Sequence, residues 1–567
     1  MRYNKGTLSS SASHLESRPA AGWVPSSQAI FRAGLVLLLA LYIRTLSFDF
    51  VFDDLLFQRI PWIHSWHALI HAFRVDAFGG TIEGGSSYYR PFVSVWWALV
   101  ERLTPGTAAW YHLATLLTQV LVYFTAFRFG CEFFEDEQLA ALTAMLFVLH
   151  PCEVESTAWN VSGANNGQAA IYFFVTLIFY FRWWKTKRWG WLAGSGAFHL
   201  LALLTKESLV ITPVLVLLHC AMQSERAARW RSTLVVLVPY GLATGVYLAL
   251  RQAAIKPLAG RSNAIRTGVN LGDLWSGPAA FWWYLRKLIV PTRMAILHDW
   301  TPVTGPSTAR FVLPLMIFVA FCVLVVWAWK RTGSWRVLFL AASFLLNLVP
   351  VIVYANRVTM HERYLQLPSY SFCALLAYAA LWAMRDGGTK RIFAIVFSVS
   401  LIAAWSAVTW YETGFWDNNL TLWTRAVQVA PHSVNARVEL ARLVTEQDPG
   451  AGIRVLDEGL QVLPESPGLW RSKGLMEFNA GKLSDAGKSF RRSLEVSSRF
   501  AANPATEPSD VKYGRATALF FIAQIEQQKG DLESAEQHYR NALDIDPENA
   551  EYQRGLAGLL SKQGRGQ

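Results

Sequence analysis

Apolar residues occur along the first three quarters of the chain in runs that match the thickness of a lipid bilayer. A hydrocarbon core of about 30 Å is crossed by about 20 helical residues. Runs near this length lie at 30–49, 108–130, 166–184, 208–222, 232–250, 309–329, 336–355, 364–384 and 390–410, and shorter runs lie at 138–150 and 190–204. The pattern therefore predicts about eleven transmembrane helices.

Basic residues cluster at every second junction between these runs. The clusters are Arg182/Lys185/Lys187/Arg188, Arg226/Arg229/Arg231, Lys330/Arg331/Arg336 and Arg385/Lys390/Arg391. Because loops rich in Lys and Arg stay in the cytoplasm, these junctions and the N-terminus are predicted to be cytoplasmic. An acidic junction at 131–137 is the exception. The external segments are then 50–107, 151–165, 205–207, 251–308, 356–363 and everything after 411, and the run at 30–49 is predicted to be an uncleaved signal anchor.

Beyond Trp416 the periodicity changes to that of a soluble helical hairpin repeat of about 34 residues, the tetratricopeptide length. One unit carries Trp470, Gly474, Gly481, Ala486 and Phe490. A second carries Leu519, Ala523, Gly530, Ala535, Tyr539, Ala542 and Pro547, and a looser unit spans 433–464. An insertion is expected near 496–513, where Pro504 and Pro508 lie. The chain is thus predicted to be all-α, with a polar cytoplasmic segment at 1–29, a polytopic transmembrane domain at 30–411 and an extracytoplasmic tetratricopeptide-repeat α-solenoid at 412–567.

Composition supports this division and argues against a nucleic-acid partner. Of the 567 residues, 53% are hydrophobic, which is more than a soluble core of this length needs. The net charge of +12 is uneven, since residues 412–567 hold only 18 of the 52 Lys and Arg but 21 of the 40 Asp and Glu. The basic excess belongs to the membrane part and reflects topology. The five cysteines form no CxxC pattern, so neither a disulfide framework nor a zinc site is predicted.

Two adjacent carboxylates, Asp53 and Asp54, follow the first apolar run on the external side. There a general base could meet a substrate carried by the membrane. The alternative interpretation is a helix N-cap before Leu55. We favour catalysis, because other ionisable residues occur on the same side.

Those other residues lie in the short external segments. They are Glu153 and Glu155 in segment 151–165, Lys206 and Glu207 in segment 205–207, His361, Glu362 and Arg363 in segment 356–363, and Arg90 after Tyr89 in segment 50–107. Ionisable groups next to a bilayer are costly and are therefore candidates for function. A guanidinium suits phosphate because it can donate two parallel hydrogen bonds. The alternative is that they are interfacial anchors with paired counter-ions.

Two weaker patterns occur in the same external segments. Ile63, Trp66, Ile70 and Phe73 have the spacing of a helix lying in the membrane surface, and His64, His67 and His71 share its other face. A metal site is possible at that spacing but a polar helix face is more common, so no metal is predicted. Two glycosylation sequons begin at Asn160 and Asn419, and the topology places both outside.

The motifs, taken in order, resemble a known family. They are Phe-Asp-Asp at 52–54, Tyr-Arg-Pro at 89–91, His-Pro with a Glu at 150–155, Thr-Lys-Glu at 205–207, Tyr-Leu through Asp-Trp at 284–300, His-Glu-Arg-Tyr-Leu at 361–365, and Trp410 with Leu422-Trp423. This order is similar to that of the transmembrane and tetratricopeptide-repeat-containing protein O-mannosyltransferases and their bacterial relatives, within the GT-C glycosyltransferases.

The resemblance implies a membrane enzyme without a cofactor. It would move a sugar, usually mannose, from a polyprenyl- or dolichyl-phosphate donor to an acceptor hydroxyl, usually of a protein Ser or Thr, on the external side. Asp53, with Asp54 beside it, would be the base, and Arg363, Lys206 and Arg90 would bind the phosphate. Glu153, Glu155, Glu207, His361 and Glu362 would orient these cations or bind sugar. The location implied is a bacterial inner membrane or the endoplasmic reticulum, with the repeats periplasmic or lumenal.

The sequence departs from this family at two places. Gly163-Ala164-Asn165-Asn166 stands where similar proteins usually have Gly-Arg-Ala-Asp, so one sugar or phosphate contact is expected to be lost. The repeat array is also short, which leaves the recruitment of an acceptor protein by the repeats open. The alternative hypothesis is a non-enzymatic membrane scaffold whose repeats bind protein partners. A transporter ranks last, because its charges would lie near the bilayer midplane.

Overall fold

A computed structural model describes residues 25–78, 86, 88–223, 229–255, 271–353, 360–501 and 508–564. Most of the predicted N-terminal segment, part of the basic cluster around Arg226, and Pro504 lie outside these residues. Within the described ranges the chain is helical and contains no strand.

The helices of the membrane part, in chain order, are α1 Ser27–Tyr42, α2 Asp54–Gln58, α3 Ala68–His71, α4 Pro91–Leu103, α5 Ala108–Phe134, α6 Glu137–Leu149, α7 Val154–Ala158, α8 Asn160–Ser162, α9 Gln168–Thr186, α10 Trp189–Thr205, α11 Thr212–Gln223, α12 Arg229–Ala254, α13 Gly277–Ile289, α14 Ala309–Thr332, α15 Trp335–Val353, α16 Gln366–Asp386 and α17 Gly388–Thr413.

Seven described helices are long and apolar enough to cross a membrane: α1, α5, α12, α14, α15, α16 and α17. An eighth crossing is broken, since α6 and the segment Pro151–Ala158 meet at 58°. A shorter apolar helix, Glu207–Gln223, which includes α11, falls short of the same criterion. By length and composition the described residues therefore hold seven spans, or eight if the bent pair is one span, which is fewer than the eleven predicted from the sequence. The apolar helices make the chain an integral membrane protein.

Proline explains the break in the eighth crossing. His150 has extended backbone angles, as expected for a residue before proline, and its backbone ends α6. The chain then turns through Pro151–Glu153 and α7, in which Glu153 and Glu155 are buried rather than in an open loop. The following Gly163–Gly167 forms one wide π-type turn before α9 begins.

The predicted surface helix near residues 63–73 is interrupted in the structure. Pro61–His64 and Ala72–Arg74 are 3-10 turns, and only Ala68–His71 is α-helical. Trp66 and Ile70 remain exposed, as the apolar spacing predicted, whereas Ile63 is buried. A single amphipathic helix was therefore wrong, because Ile63 packs inward against the core.

The C-terminal part consists of paired helices, as the repeat pattern predicted. They are α18 Asn419–Val429, α19 Val434–Thr445, α20 Pro449–Val462, α21 Pro467–Asn479, α22 Leu483–Ala501, α23 Ser509–Lys529, α24 Leu532–Ile545 and α25 Ala550–Lys562. The three hairpins α19/α20, α21/α22 and α23/α24 coincide with the three predicted units, and α25 closes the array. Small residues allow the helices to approach closely; a Cβ on Gly474 would lie 2.9 Å from the Phe490 ring.

Candidate active site

Segments that are far apart in sequence meet at one cavity of about 120 Å³. They are the turn before α2, the segment before α4, the region α7–α9, the end of α10 and the turn before α16. The charged and aromatic side chains that line the cavity include Asp53, Arg90, Trp159, Lys206, Arg363 and Tyr364. One carboxylate thus faces three cations. A larger cavity lies within the repeats, between α22, α23 and α24, but it lacks such a cluster.

The two adjacent carboxylates have different surroundings. Asp54 is fully buried, and its oxygens accept hydrogen bonds from the Val161 N–H (2.9 Å) and the Asn160 side-chain amide (3.2 Å). Asp53 lines the cavity and accepts no side-chain hydrogen bond from any residue that the structure describes. Asp53 is therefore placed to meet a substrate, whereas Asp54 joins α2 to α8.

Burial changes the proton affinity of both carboxyl groups. Loss of solvent raises the pKa of Asp53 to about 6, although the positive charge of Arg363 opposes this rise. It raises the pKa of Asp54 to about 7, against the effect of its hydrogen bonds. A base with a pKa near 6 is ionised at neutral pH yet binds a proton more readily than an ordinary carboxylate.

Arg90 is held by Glu207 through a two-pronged contact. Its Nε and Nη2 donate to the two carboxylate oxygens at 2.9 and 2.6 Å. The guanidinium also lies over the Tyr88 ring at 4.3 Å. Burial opposes the charged form, but the Glu207 carboxylate raises the pKa of Arg90 above its usual value. Glu207 occupies two of the hydrogen-bond donors of Arg90. Arg90 therefore contributes mainly its positive charge to the cavity, rather than a pair of free donors.

Lys206 reaches the cavity from the end of α10. Its ammonium donates to the Asn166 side-chain oxygen at 2.5 Å and lies 5.5 Å from the Tyr364 ring centre. Burial, together with the positive charges of the nearby Arg90 and Arg363, lowers the pKa of Lys206 to about 7. An added anion would raise that pKa and favour the charged ammonium.

Arg363 is oriented by Glu155. Its Nη1 donates to one Glu155 oxygen at 2.5 Å and its backbone N–H donates to the other at 2.8 Å. The guanidinium plane is bordered by the Trp159 and Tyr364 rings at 5.2 and 5.1 Å. Glu155 and Glu207 therefore each pair with a cation of the cavity lining.

Three other predicted residues lie away from the cavity lining. Glu153 is buried among Gln119 and Ser369, and Glu362 is buried against Lys287 and His298, so neither is placed to bind sugar. His361 lies 3.5 Å from Glu155, behind Arg363. These three side chains support the wall of the cavity. Sequence reasoning missed Lys287 and His298, whose only indication was their position in the 284–300 motif.

Neither sequon asparagine is exposed at the protein surface, and their location outside the cytoplasm stays a prediction. Asn160 is fully buried and bonded to Asp54 and Thr115. Asn419 is partly buried and bonded to the backbone of residues 50 and 52. The three histidines also differ from a metal cluster, since His64 pairs with Glu101 at 3.0 Å.

Comparison with known proteins places these features in context. A family model described as the tetratricopeptide repeat matches residues 516–549. Protein O-mannosyl-transferase F38B6.6 of Caenorhabditis elegans is 22% identical over 71% of this chain and 58% of its own length. Protein O-mannosyl-transferase TMTC3 of Homo sapiens is 21% identical over 93% of this chain and 61% of its own. The resemblance inferred from the motifs is confirmed.

Protein O-mannosyl-transferase TMTC2 of Mus musculus is 29% identical over a shorter region, 30% of this chain and 21% of its own length. The chain therefore spans about three fifths or less of the curated relatives it matches.

The departure from the family at 163–166 affects the cavity directly. Asn166 accepts the hydrogen bond from Lys206, and Asn165 is placed to bond Arg90 at 2.8 Å and the Thr205 carbonyl at 3.0 Å. The two amides therefore connect the cations that line the cavity. They supply no charge of their own, unlike the Arg and Asp usual in similar proteins.

Proposed function

We propose that the protein transfers mannose from a polyprenyl- or dolichyl-phosphate donor to a Ser or Thr hydroxyl of an acceptor protein, on the extracytoplasmic side. The observation that carries this proposal is the cavity in which Asp53, without a side-chain hydrogen bond from the described residues, faces Arg90, Lys206 and Arg363. A scaffold protein has no need for such a cavity.

The proposed step is an inverting displacement at the anomeric carbon of the sugar. Asp53 takes the proton of the acceptor hydroxyl. The hydroxyl oxygen attacks the anomeric carbon from the face opposite the phosphate. A bond forms between the acceptor oxygen and the anomeric carbon, and the bond from that carbon to the phosphate oxygen breaks. The electron pair stays with the lipid phosphate, whose negative charge therefore increases.

The three cations lie where that charge would develop. Arg363 would donate hydrogen bonds to the phosphate, Lys206 would become fully charged beside it, and Arg90 would add a fixed charge. Preorganised cations in a site with little water stabilise a leaving anion strongly, because they need no rearrangement as the charge forms. This chemistry requires no cofactor beyond the lipid-linked sugar.

The proposal also includes the role of the repeats and the location of the enzyme. The repeats would bind the acceptor protein, and the enzyme would lie in a bacterial inner membrane or the endoplasmic reticulum membrane with its repeats periplasmic or lumenal. The membrane lipid supplies the donor.

Transfer of labelled sugar tests the proposal. Membranes that contain the protein should transfer label from polyprenyl-phosphate mannose to a Ser/Thr-rich acceptor protein, and membranes without it should not. Transfer that is equal in both preparations would contradict the proposal and favour the scaffold, whereas transfer that is equal for the wild type and Asp53→Asn would remove Asp53 from the mechanism.

A further inference from the structure

The first helix after the membrane domain contacts the backbone of the segment that carries Asp53. The Phe52 N–H donates to the Asn419 side-chain oxygen at 2.9 Å. The Asn419 amide donates in turn to the Phe50 carbonyl at 3.3 Å. Slightly earlier in both segments, the Asp49 N–H donates to the Asp417 carbonyl at 2.9 Å. Asn419 thus bridges the backbone groups on either side of Val51, and holds the N–H of Phe52, with one planar amide.

The held segment has an unfavourable backbone conformation immediately before the proposed base. Phe52 has φ = 51°, in the left-handed region that side chains other than glycine rarely adopt. Such a conformation persists only where the surrounding structure enforces it. The direction of Asp53 follows from that of Phe52, because the two share a peptide bond. Release of Phe52 would therefore redirect Asp53.

Aromatic contacts extend the same support to the cation side of the cavity. The Phe52 ring lies 5.4 Å from the Trp159 ring and 5.6 Å from the Trp423 ring of α18. Trp416 stacks on Trp159 at 6.0 Å, and Arg363 borders the same Trp159. The segment 416–423 therefore packs against the groups that fix both Asp53 and Arg363.

Helix α18 is itself fixed to the membrane domain. Arg425 donates two hydrogen bonds to the Glu412 carboxylate, at 2.7 and 2.9 Å, and a third to the Met294 carbonyl at 3.1 Å. Trp423 and Ala426 lie in one apolar core with Val51, Phe57 and Trp97. The helix is thus built into the domain that contains the cavity, although it directly precedes the repeats.

We infer that Asn419 is a positioning residue for Asp53, and that α18 belongs to the catalytic unit rather than to the acceptor-binding repeats. The inference rests on the proposed function. Asn419 does not touch the cavity, so it acts through Phe52. Its role is to keep the carboxylate of Asp53 in line with an acceptor hydroxyl.

Asn419→Leu in the full-length protein is the test, since leucine has a similar size and no polar atom. We expect kcat to fall about 100-fold, because small displacements of a catalytic group have effects of that order. The KM for polyprenyl-phosphate mannose should stay the same, as the phosphate-binding cations are retained. The acid limb of the pH profile should move to lower pH, because a released Asp53 gains water.

Asn419→Asp separates positioning from general damage. It keeps an oxygen for the Phe52 N–H but adds a negative charge near Asp53, which should move the acid limb to higher pH. Ser466→Ala is the matched control, because it also removes one side-chain-to-backbone hydrogen bond of a repeat-domain helix, that to the Leu469 N–H. It should leave kcat and the pH profile unchanged.

Hydrogen exchange gives a measurement that does not depend on the reaction. Exchange in a peptide covering residues 50–57 should quicken in Asn419→Leu and stay slow in Ser466→Ala. An active wild type with unchanged kcat and pH profile in Asn419→Leu would overturn the inference but leave the function. An inactive wild type would overturn the function, and unchanged exchange at 50–57 would overturn the inference in either case.

Discussion

Adjacent residues of the same type can have opposite roles when the backbone turns between them. Asp53 faces the cavity, whereas Asp54 is buried under hydrogen bonds from Val161 and Asn160. The sequence predicted the pair but could not separate its members. The left-handed Phe52 sets the direction in which both aspartates leave the preceding segment, and no local pattern indicates it.

Asp53→Asn should lower the rate of sugar transfer by about 100- to 10,000-fold, the usual cost of losing a general base. The fold should be retained, because the Asp53 side chain lies at a cavity and holds no described neighbour. Initial rates at saturating donor, with thermal unfolding of the same samples, measure both effects.

Asp54→Asn is the contrasting variant. Its new amide N–H₂ would meet the N–H donors of Val161 or Val51, which leaves buried donors unpaired at a cost of about 1–3 kcal/mol. We expect a lower unfolding temperature and yield. A variant as stable as the wild type would show that Asp54 does not join α2 to α8 as the structure indicates.

The rate of transfer should depend on pH through Asp53. Burial raises the pKa of this carboxyl to about 6, and only its ionised form accepts a proton. Activity should therefore be present above pH 6 and fall about tenfold per pH unit below it. A profile of kcat/KM from pH 4.5 to 8 measures the midpoint, and a limb near pH 4 would contradict the burial of Asp53.

Arg363→Lys should weaken donor binding about tenfold or more, because an ammonium cannot keep the bond to Glu155 and also fork onto phosphate. Donor titration with any acceptor measures the loss. Arg336→Lys is the control, since Arg336 bonds Phe133 and Glu135, which are not cavity residues. Equal donor affinity in both variants would reduce Arg363 to a membrane anchor and make Lys206 the main phosphate ligand.

At the scale of elements, the sequence predicted which segments are helical but not which of them meet. Span length and repeat period located the membrane helices and the three hairpins. Arg90, Lys206 and Arg363 come together because of how the helices pack. The hydrophobic periodicity of the sequence does not predict that packing. The same holds for Lys287 and His298, whose partner Glu362 lies more than 60 residues along the chain.

The wide turn at Gly163–Gly167 gives an element-scale prediction. A Cβ on Gly163 would lie 2.3 Å from the Thr115 methyl carbon, so Gly163→Ala forces α5 and this turn apart. Overpacking of this kind costs about 1–3 kcal/mol. Thermal unfolding should show the loss, and transfer should fall because the turn carries Asn165 and Asn166.

Thr115→Ser removes that methyl group and keeps the hydroxyl that bonds Asn160, so the double variant should recover part of the stability. Gly190→Ala is the control, because no atom lies within 4 Å of its added Cβ. A Gly163→Ala variant as stable as Gly190→Ala would show that the turn is looser than the structure has it.

At the scale of the whole molecule, contacts tie the start of the repeat domain to the side of the membrane domain that contains the cavity. Asp417 and Asn419 bond the Asp53 segment, and His432 bonds Asp299 at 2.8 Å. The sequence divided the chain at 411 because apolar spans end there. That boundary marks the end of the apolar spans, whereas the packing of the membrane domain continues through α18.

The side of the membrane on which this assembly lies is the last prediction. If the basic loops are cytoplasmic, the Asp53 segment and the repeats must both be external, because they are bonded to each other. In a variant without reactive native cysteines, His67→Cys and Gln528→Cys should react with an impermeant thiol reagent in intact cells or sealed, right-side-out vesicles. Both positions are exposed, in the first external segment and in α23. Thr186→Cys, exposed in the basic loop after α9, should react only after permeabilisation. Reaction of Thr186→Cys before permeabilisation, with protection of the other two, would invert the topology and place the cavity in the cytoplasm. Reaction of His67→Cys and Gln528→Cys from opposite sides would contradict the contacts through Asn419 as well.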